Sequence, residues 1–422
     1  MVLQHLPGEL TTPSAGEQVV ARCRALAAVS EERDRLTRRF ATPAMTYANA
    51  LVGGWMAEAG MLVRTDAAGN LIGRLEGTDP AAGTLLLGSH LDTVRDAGAF
   101  DGPLGVITAI ACVARLRQAG AALPFAVEVL GFSDEEGLRF GTAYLGSRAV
   151  AGTFDPALLD LTDDDGITAR DALAGFGGRP AAVAGASRRG ERILGYVEVH
   201  MEQGPVLEER DAPVGVVTAI AGATRAEVRF TGRAGHAGTV PMASRHDAAC
   251  AVAELVLAVE AAGRGTDGLL ATVGRLTVLP SAPNVVPGAA VASLDVRHAD
   301  DARRAAAVEA LRGSATEIAA RRGVALDWQP RLDHPAVAVD PALTGALART
   351  VTGRGLPDVR LHSGAGHDGV ALSELCGIAM LFVRCAGGLS HHPDESVTAA
   401  DAEVALDVLV DLVARLGTEA AA

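Results

Sequence analysis

Five short polar segments of this 422-residue chain carry histidines and carboxylates of the kind that bind metal ions. In chain order they are GSHLDT (88–93), FDGP (100–103), SDEEG (133–137), HMEQG (200–204) and SHHP (390–393). Imidazole and carboxylate ligands without a thiolate suit Zn, Mn, Co or Ni. Two such ions about 3.5–4 Å apart need one bridging carboxylate and a few terminal ligands. Asp101 is well placed to be the bridge, because the Gly-rich turn sets it beside His90.

Other carboxylates in these segments suit supporting or catalytic tasks. Asp92 lies two residues after His90 and can fold back to set the tautomer of that ring. Glu135 and Glu136 are neighbours, and neighbouring side chains point in opposite directions in an extended segment. We therefore expect one of them to bind metal and the other to face the attacking water as a general base. Each feature alone is typical of an ordinary turn or ion pair, but five together indicate catalysis.

The elements that must position these segments are those of an α/β sheet. Apolar runs at 84–89, 125–132 and 193–199 predict buried strands, and residues 103–120 predict a helix. Strand–helix–strand units of this kind form a parallel sheet with helices on both faces. Because ligands bind at the carboxyl ends of such strands, we expect the polar segments to meet at one rim of the sheet.

The pattern changes after Val214. Strands are predicted at 226–231, 271–278, 290–297 and 324–329, and helices at 244–262 and 301–322. Their order, β-α-β-β-α-β, is that of a ferredoxin-like module. A helix at 341–352, a strand at 378–384 and a closing helix at 399–416 then resume the α/β pattern. We therefore predict a catalytic domain of residues 1–213 and 331–422, with residues 214–330 inserted as a small α+β domain. Residues 153–192 are predicted to be a surface excursion.

The composition excludes several classes of function. The net charge of −14 argues against nucleic acid or an anionic membrane as a partner. Lysine is absent and all 37 basic residues are arginine, which excludes a Schiff-base lysine and a P-loop lysine. Five widely spaced cysteines argue against a disulfide framework. The first ten residues lack the features of a signal peptide and no run is long enough for a membrane span, so we expect a cytoplasmic protein.

Longer motifs surround these residues. They are GSHLDTV (88–94), FDGPLGV (100–106), DEEGLRFGTAYLGSRA (134–149), HMEQGPVLE (200–208), GHAGTVPMASRHDA (235–248), NVVPG (284–288), DVR (295–297), SGAGHD (363–368) and GGLSHHPDES (387–396). The set resembles the M20 metallopeptidase clan, and within it the ureido-amidohydrolase branch of allantoate amidohydrolase, N-carbamoyl-L-amino-acid hydrolase and β-ureidopropionase. The resemblance implies an α/β, zinc-exopeptidase-like catalytic domain with a mixed sheet flanked by helices. It also implies an inserted α+β ferredoxin-like lid domain through which two chains form a homodimer.

The resemblance also implies roles for individual residues. Two divalent ions, Zn or Mn with Co or Ni as alternatives, would be held by His90, Asp101, Glu136, His200 and His391, with Asp101 as the bridge. The family's Ser-His-x-Pro pattern favours His391 over its neighbour His392. Glu135 would be the general acid/base, and His236 would stabilise the oxyanion across a dimer interface. The substrate would be bound by Asn284, Arg297, Gln203 and the loop Gly364, Ala365 and Gly366.

The implied substrate is a small ureido acid. The stretches GTAYLGSRAVAG (141–152) and MLFVRCAGG (380–388) favour allantoate, with N-carbamoyl-L-amino acids and N-carbamoyl-β-alanine as alternatives. An aminopeptidase or dipeptidase is the nearest other kind of enzyme, and HMEQGP and GAGHD argue against it. A non-catalytic, metal-bound interaction module is the alternative from another class. Glu135, which has no metal-binding task in this scheme, argues against that alternative.

Overall fold

The chain forms two compact units. The computed structural model describes residues 13–421, so the expectation drawn from the first ten residues lies outside the described chain. The first unit comprises the residues up to Thr218, Val339–Leu361 and the residues from His367 onward. The second comprises Ala219–Ala338 and His362–Gly366. No helix among the described residues combines the length and the apolar character that a membrane span requires.

Helices and strands alternate through most of the described chain. The helices are α1 (Ala15–Ala27), α2 (Pro43–Glu58), α3 (Pro103–Gln118), α4 (Leu145–Ala151), α5 (Ala169–Phe176), α6 (Val206–Glu209), α7 (Ala248–Gly265), α8 (Asp301–Arg322), α9 (Pro341–Gly353), α10 (Gly369–Leu372) and α11 (Ala399–Ala421). The strands are β1 (Leu62–Thr65), β2 (Leu71–Leu75), β3 (Thr84–His90), β4 (Ala126–Phe132), β5 (Ile193–Met201), β6 (Val214–Ile220), β7 (Gly222–Thr231), β8 (Gly235–His236), β9 (Leu270–Thr272), β10 (Leu276–Leu279), β11 (Val285–Val286), β12 (Ala289–His298), β13 (Ala325–His334), β14 (Val337–Ala338), β15 (Arg360–Ser363) and β16 (Ile378–Val383). Short 3-10 helices occupy Pro156–Asp160, Pro180–Ala186, Met242–Ser244 and Ala386–Gly388.

The first unit is built on a mixed sheet with the strand order β1-β2-β4-β3-β5-β16-β6. The four strands β4, β3, β5 and β16 are parallel. The outer strands β1, β2 and β6 pair antiparallel with their neighbours. The β1–β2 connection is a tight turn in which the Asp66 carboxylate accepts the N–H groups of Ala68 and Asn70. A turn this short can join only antiparallel strands.

The two faces of this sheet bury different side chains, because alternate residues of a strand point to opposite faces. On one face Leu85 and Leu87 pack in the apolar core together with α1, α3, α9 and α11. The other face carries Glu198 and His200 in β5 and His90 in β3, all buried. Since β3 and β5 are parallel neighbours, His90 and His200 lie at the same edge of the sheet.

The second unit has the element order β7, α7, β10, β12, α8, β13, with the short strand β9 preceding β10. Its sheet order is β10-β12-β7-β13, and every neighbouring pair is antiparallel. This is a ferredoxin-like arrangement. Val228 and Phe230 of the sheet pack with Leu255 of α7 and Leu311 of α8 in an apolar core of their own.

Two predicted elements of this unit differ from the structure. The single strand predicted at 271–278 is wrong, because the chain forms the two strands β9 and β10. Thr272 pairs with Asp295 whereas Leu276 pairs with Ala292, a register shift of one residue that marks a bulge between them. The helix predicted from residue 244 begins at Ala248, where the Asp247 carboxylate caps it.

The segment 153–192, predicted to be a surface excursion, has buried apolar residues of its own. It contains α5 and two of the 3-10 helices. Leu159, Leu173 and Val183 are buried with Phe40 and Phe140 in a small apolar cluster. Their wide spacing in an Asp-, Gly- and Ala-rich sequence gives no periodic signal, so the cluster was not evident from the residues alone.

Candidate metal centre

Two strand ends supply histidines whose outer nitrogens are oriented by the backbone. His90 ends β3, and its Nδ1–H donates to the carbonyl of Asp92 at 3.0 Å. His200 lies near the end of β5, and its Nδ1–H donates to the carbonyl of Met201 at 2.9 Å. When either ring is neutral, the proton on Nδ1 leaves the lone pair on Nε2, the form of imidazole that binds metal.

Asp101 lies between the histidines and faces two of them with different oxygens. His200 Nε2 is 3.1 Å from Asp101 Oδ1, and His391 Nε2 is 3.1 Å from Asp101 Oδ2. The loop can pass this close because Gly102 has no side chain. A Cβ there would lie 2.5 Å from the His90 ring, and its φ of 80° is one that glycine adopts readily. The FDG motif therefore places a carboxylate against three imidazoles.

The ligand atoms form overlapping groups in which one atom from each residue lies within 4.8 Å of the others. The four groups are His90 with Asp101 and His200, Asp101 with Glu136 and His391, His90 with Glu135 and Glu136, and Glu198 with His200 and His367. Asp101 belongs to the first two groups and so joins them. The structure also distinguishes the adjacent histidines, because His391 faces Asp101 whereas the His392 ring is turned to Asp394.

Asp92 does not fold its carboxylate back onto His90 in the manner expected. Its backbone carbonyl holds the His90 ring, and its carboxylate lies 3.7 Å from that ring at its nearest. The carboxylate instead accepts the N–H groups of Glu135 at 3.1 Å and Glu136 at 3.0 Å. Asp92 therefore fixes the loop after β4 as well as the ring at the end of β3.

The expectation that Glu135 and Glu136 point in opposite directions is wrong. Both side chains approach His90, as the group of His90, Glu135 and Glu136 shows. The reason is local, because Asp134 has a φ of 56° and the segment bends where an extended chain was assumed. Glu136 Oε1 also lies 3.5 Å from His391 Nε2. Glu136 therefore also belongs to the group of Asp101 and His391, which does not include Glu135.

Burial and the charges of the site shift the pKa values of its carboxyl groups and of His200. Burial and the neighbouring carboxylate of Glu136 raise the pKa of Glu135 well above its ordinary value. Burial and the charge of Asp101 raise the pKa of Glu136 to about 7. Burial opposes ionisation of Asp101 too, but its contacts with His200 and His391 hold its pKa well below the ordinary value. Burial lowers the pKa of His200, but its contact with Asp101 outweighs this and raises it to about 9.

These residues fit a divalent cation. His200 Nε2 is fully buried and makes no hydrogen bond, although a carboxylate oxygen is 3.1 Å away. Carboxylates packed this closely repel one another unless positive charge lies between them. Imidazole nitrogens and carboxylate oxygens without a thiolate are the donors that Zn and Mn accept. The donor types, the unpartnered His200 Nε2 and the close packing of carboxylates therefore all indicate a site for a divalent cation.

Gln203 contacts the shared carboxylate itself. Its Nε2 donates to Asp101 Oδ1 and Oδ2, both at 3.2 Å, and to Ser390 Oγ at 3.0 Å. Gln203 has a left-handed φ of 60°, which turns its side chain toward the rim. The structure thus places this predicted substrate-binding residue against a predicted ligand.

In the second unit, a two-residue ribbon brings together His236 and Asn284, which the sequence separates. Strand β8 pairs with β11, with His236 opposite Val285, and the N–H of Ala237 donates to the carbonyl of Asn284 at 2.9 Å. Both residues are exposed. The N–H of Gly238 donates to His236 Nδ1 at 3.0 Å, so the neutral ring carries its proton on Nε2. This leaves an outward hydrogen-bond donor.

Arg297 in the same unit is held in a fixed orientation. Its Nε and Nη2 donate to the two oxygens of Asp295, and its Nη1 donates to the carbonyl of Gly364 at 2.7 Å. The adjoining loop is braced by Ser363, whose Oγ donates to the carbonyl of Ala365 at 2.9 Å. Gly366 completes this loop within the second unit. The predicted substrate-binding arginine and the SGAG loop are therefore neighbours.

Two buried carboxylates beside the centre, Glu198 and Glu395, have no role assigned from the sequence, whereas the sequence offers His367 as a support for a ligand or a helix cap. Glu198 accepts from Ser89 Oγ at 2.8 Å, and the His367 ring lies 4.4 Å from the His200 ring. Glu198 could have been found, because it lies two residues before His200 and so on the same face of β5. Glu395 accepts the backbone N–H groups of the Asp101 loop, a contact that leaves no mark in residue spacing.

Comparison with known proteins identifies the family of this chain. The family model described as peptidase family M20/M25/M40 matches residues 86–415. An N-carbamoyl-L-amino acid amidohydrolase of Geobacillus stearothermophilus is 39% identical over 95% of this chain and 98% of its own. An allantoate deiminase of Arabidopsis thaliana is 39% identical over 91% of this chain and 79% of its own. A solved hydantoinase/carbamoylase family amidase from Burkholderia multivorans superposes with a TM-score of 0.90 at 32% identity, over 95% of this chain and 97% of that one. The chain is a hydrolase that belongs to peptidase family M20/M25/M40.

Proposed function

We propose that this protein is a dinuclear metal-dependent amidohydrolase that cleaves a ureido C–N bond of a small carboxylate substrate, with allantoate as the first candidate. The observation that carries the proposal is the position of Asp101. Its two oxygens face different histidines, and it belongs to two ligand groups at once. A carboxylate shared in this way is what a pair of neighbouring ions requires.

His90 and His200 would hold one ion with Asp101, and Glu136 and His391 would hold the other. Enzymes of this family use divalent metal ions, and Zn or Mn suits these donors, with Co or Ni as alternatives. When bound, such ions would lower the pKa of a water molecule and polarise the ureido carbonyl. Asp92 keeps His90 and the Glu136 backbone in the orientation that ligation needs.

Glu135 would move the proton. Its carboxylate accepts a proton from water as the new C–O bond forms and gives it to the departing nitrogen as the C–N bond breaks. Two features suit this task. Its backbone is fixed by Asp92, and burial with neighbouring negative charge raises its pKa well above that of an ordinary carboxyl group.

The second unit would supply substrate-binding groups. The Nε2–H of His236 and the amide of Asn284 would donate to the oxygen that becomes negative in the transition state. Arg297, oriented by Asp295, would bind the substrate's carboxylate by a bidentate pair. Gln203 and the loop Gly364, Ala365 and Gly366 would complete the pocket.

A homodimer through the inserted domain, residues 214–330, is part of the proposal, with His236 serving the site of the partner chain. The resemblance to the M20 clan supports this arrangement. So does the exposure of His236, whose outward donor has no task within its own ribbon. The protein would act in the cytoplasm on its small substrate. Neither nucleic acid nor a membrane would be a partner.

N-carbamoyl-L-amino acids are the second candidate substrate. Allantoate is favoured by the stretches at 141–152 and 380–388 and by relatives named allantoate deiminase. The relative from Geobacillus stearothermophilus, matched over 98% of its length, favours the N-carbamoyl amino acid. N-carbamoyl-β-alanine is a third candidate, from the same branch of the family.

One assay tests the function and separates the substrates. Protein stripped with a chelator would be reloaded with Mn or Zn and supplied with allantoate, N-carbamoyl-L-methionine, N-carbamoyl-β-alanine or a dipeptide. We expect metal-dependent ammonia release from one of the ureido acids and no cleavage of the dipeptide. Ammonia release that does not depend on metal, or cleavage of the dipeptide alone, would contradict the proposal.

A further inference from the structure

Glu395 connects the two loops that carry Asp101 and His391. It lies four residues after His391, and its side chain is 5% exposed. Its Oε1 accepts the N–H of Phe100 at 2.6 Å and the N–H of Asp101 at 3.0 Å. One carboxylate oxygen of the C-terminal loop therefore holds the backbone of the residue shared by both ligand groups.

The same C-terminal segment also reaches the side chain of Asp101. Ser390 Oγ donates to Asp101 Oδ2 at 3.3 Å, and His391 Nε2 lies 3.1 Å from that oxygen. The N–H of Glu395 donates to the carbonyl of His392 at 3.1 Å, which closes the turn between them. The segment 390–395 thus holds Asp101 at both its backbone and its carboxylate, so a shift of Glu395 would move the two loops apart.

The packing around Glu395 leaves it little freedom. A Cβ at position 98 would lie 1.9 Å from Glu395 Cγ and 2.3 Å from its Cδ. Only a glycine at this position lets the carboxylate reach the two N–H groups. Any side chain there would displace Glu395 without removing its carboxylate. A substitution of Gly98 therefore tests the position of this carboxylate separately from its presence.

We propose that Glu395 is a positioning residue that holds the Asp101 loop against the His391 loop, so that both ligand groups of the centre form together. The inference rests on the metal centre of the proposed function. A positioning role needs only an acceptor for two N–H groups, which a glutamine oxygen also provides. Direct ligation of a metal by Glu395 would need the carboxylate itself.

The test uses the full chain, stripped of metal and titrated with Co(II), with cobalt counted by elemental analysis and its visible spectrum recorded. We expect two cobalt ions per wild-type chain. Glu395→Ala and Gly98→Ala should bind at least one ion about 10- to 100-fold more weakly, with an altered spectrum, as loss of an outer partner usually does. Glu395→Gln should stay within a few-fold of wild type.

Asp163→Ala is the matched control. Asp163 is buried and its carboxylate also accepts two backbone N–H groups, those of Asp165 and Ile167, but it belongs to none of the ligand groups. This variant should lose stability and keep both cobalt ions. If Glu395→Ala does not fold, Gly98→Ala and Glu395→Gln decide, with weakened binding expected in the first and retained binding in the second.

Three results would overturn the inference. They are wild-type cobalt affinity and spectrum in Gly98→Ala, a loss in Glu395→Gln equal to that in Glu395→Ala, and an equal loss in the Asp163 control. A wild-type chain that binds no cobalt would refute the proposed metal centre itself, and the positioning role with it. The two failures are therefore distinguishable from the wild-type titration alone.

Discussion

The carboxylate of Asp92 holds the backbone of Glu135, whose N–H donates to Asp92 Oδ1 at 3.1 Å across 43 residues of sequence. The other oxygen holds Glu136, and the carbonyl of Asp92 holds the His90 ring. One residue therefore sets the place of two predicted ligands and the predicted acid/base.

Asp92→Asn should weaken metal binding without unfolding the chain. An amide has one acceptor oxygen. Its NH₂ group would face one of the two N–H groups, of Glu135 and Glu136, that now donate to the carboxylate. We expect the metal affinity to fall about 10- to 100-fold, as for other outer partners of metal ligands. Equilibrium dialysis with Zn or Mn measures this, with circular dichroism as the check on folding. Unchanged affinity would show that the Asp92 carboxylate has no part in building the centre.

Glu135→Gln should keep its metals and lose turnover. The amide cannot accept or deliver a proton, and loss of a general acid/base lowers the rate about 10²- to 10⁴-fold. Elemental analysis gives the metal content and ammonia release gives kcat. Glu136→Gln is the comparison, because loss of a ligand should lower metal content as well. A Glu135→Gln enzyme with near wild-type kcat would refute the acid/base assignment.

Arg297→Met should raise KM more than it lowers kcat, because the arginine is proposed to bind a part of the substrate that does not react. Loss of a charge-assisted pair costs about 1.5–3 kcal/mol, or roughly 10- to 100-fold in KM. Arg225→Met is the matched control, since Arg225 also pairs with Asp295 through its Nε at 2.7 Å. Equal effects in both variants would mean that Arg297 acts only through Asp295.

Mixed dimers should reveal whether His236 serves the partner chain. In a heterodimer of Glu135→Gln and His236→Ala protomers, one site would combine an intact Glu135 with an intact His236. Random pairing of equal amounts then restores about a quarter of the wild-type activity, given two equivalent sites in a symmetric dimer. Activity after co-refolding is compared with that of each parent. No gain over the parents would place His236 in the site of its own chain.

The parts of the fold that the sequence predicted are those with continuous apolar runs. β3 and β4 are buried along their whole length and β5 from Gly195 to Met201, so each run is visible in the residues. β1 was missed because all four of its residues are exposed, and nothing in LVRT distinguishes a strand from a loop. Because parallel strands end at the same edge of a sheet, the sequence correctly predicted that His90 and His200 lie at one edge.

The parts of the site that the sequence did not reveal depend on the backbone. The bend that turns both glutamates toward His90 follows from the left-handed φ of Asp134, a conformation that asparagine and aspartate adopt only in some turns. The contact of Glu395 with Asp101 is made to a main-chain N–H, which every residue but proline has. Spacing and residue type carry no information about such contacts.

Glu128 provides a prediction for stability against pH, at a place remote from the metal groups. This carboxylate of β4 is 1% exposed and pairs with Arg188, with Arg74 Nη1 at 3.1 Å and with Arg64 Nη2 at 3.2 Å. Burial raises its pKa, but the charge of Arg188 and those of the other two arginines outweigh burial and lower the pKa below its ordinary value of 4.5. Glu128→Gln should cost roughly 1.5–3 kcal/mol at neutral pH, because three arginines lose a charged acceptor while Arg188 keeps its pair with Glu191.

The direction of the pH effect follows from the lowered pKa. The folded-state pKa of Glu128 lies below the unfolded-state value, so its contribution is fully present above the unfolded-state pKa and is lost as pH falls through the folded-state one. The difference in free energy of unfolding between wild type and Glu128→Gln should therefore be constant near neutrality and shrink in acid. Urea unfolding from pH 7 to pH 3 measures it, with Glu309→Gln, which removes an exposed pair with Arg312, as the control expected to change stability by less than about 1 kcal/mol. A difference that grew on acidification would show that Glu128 is neutral in the folded chain and that its arginines are held by other charges.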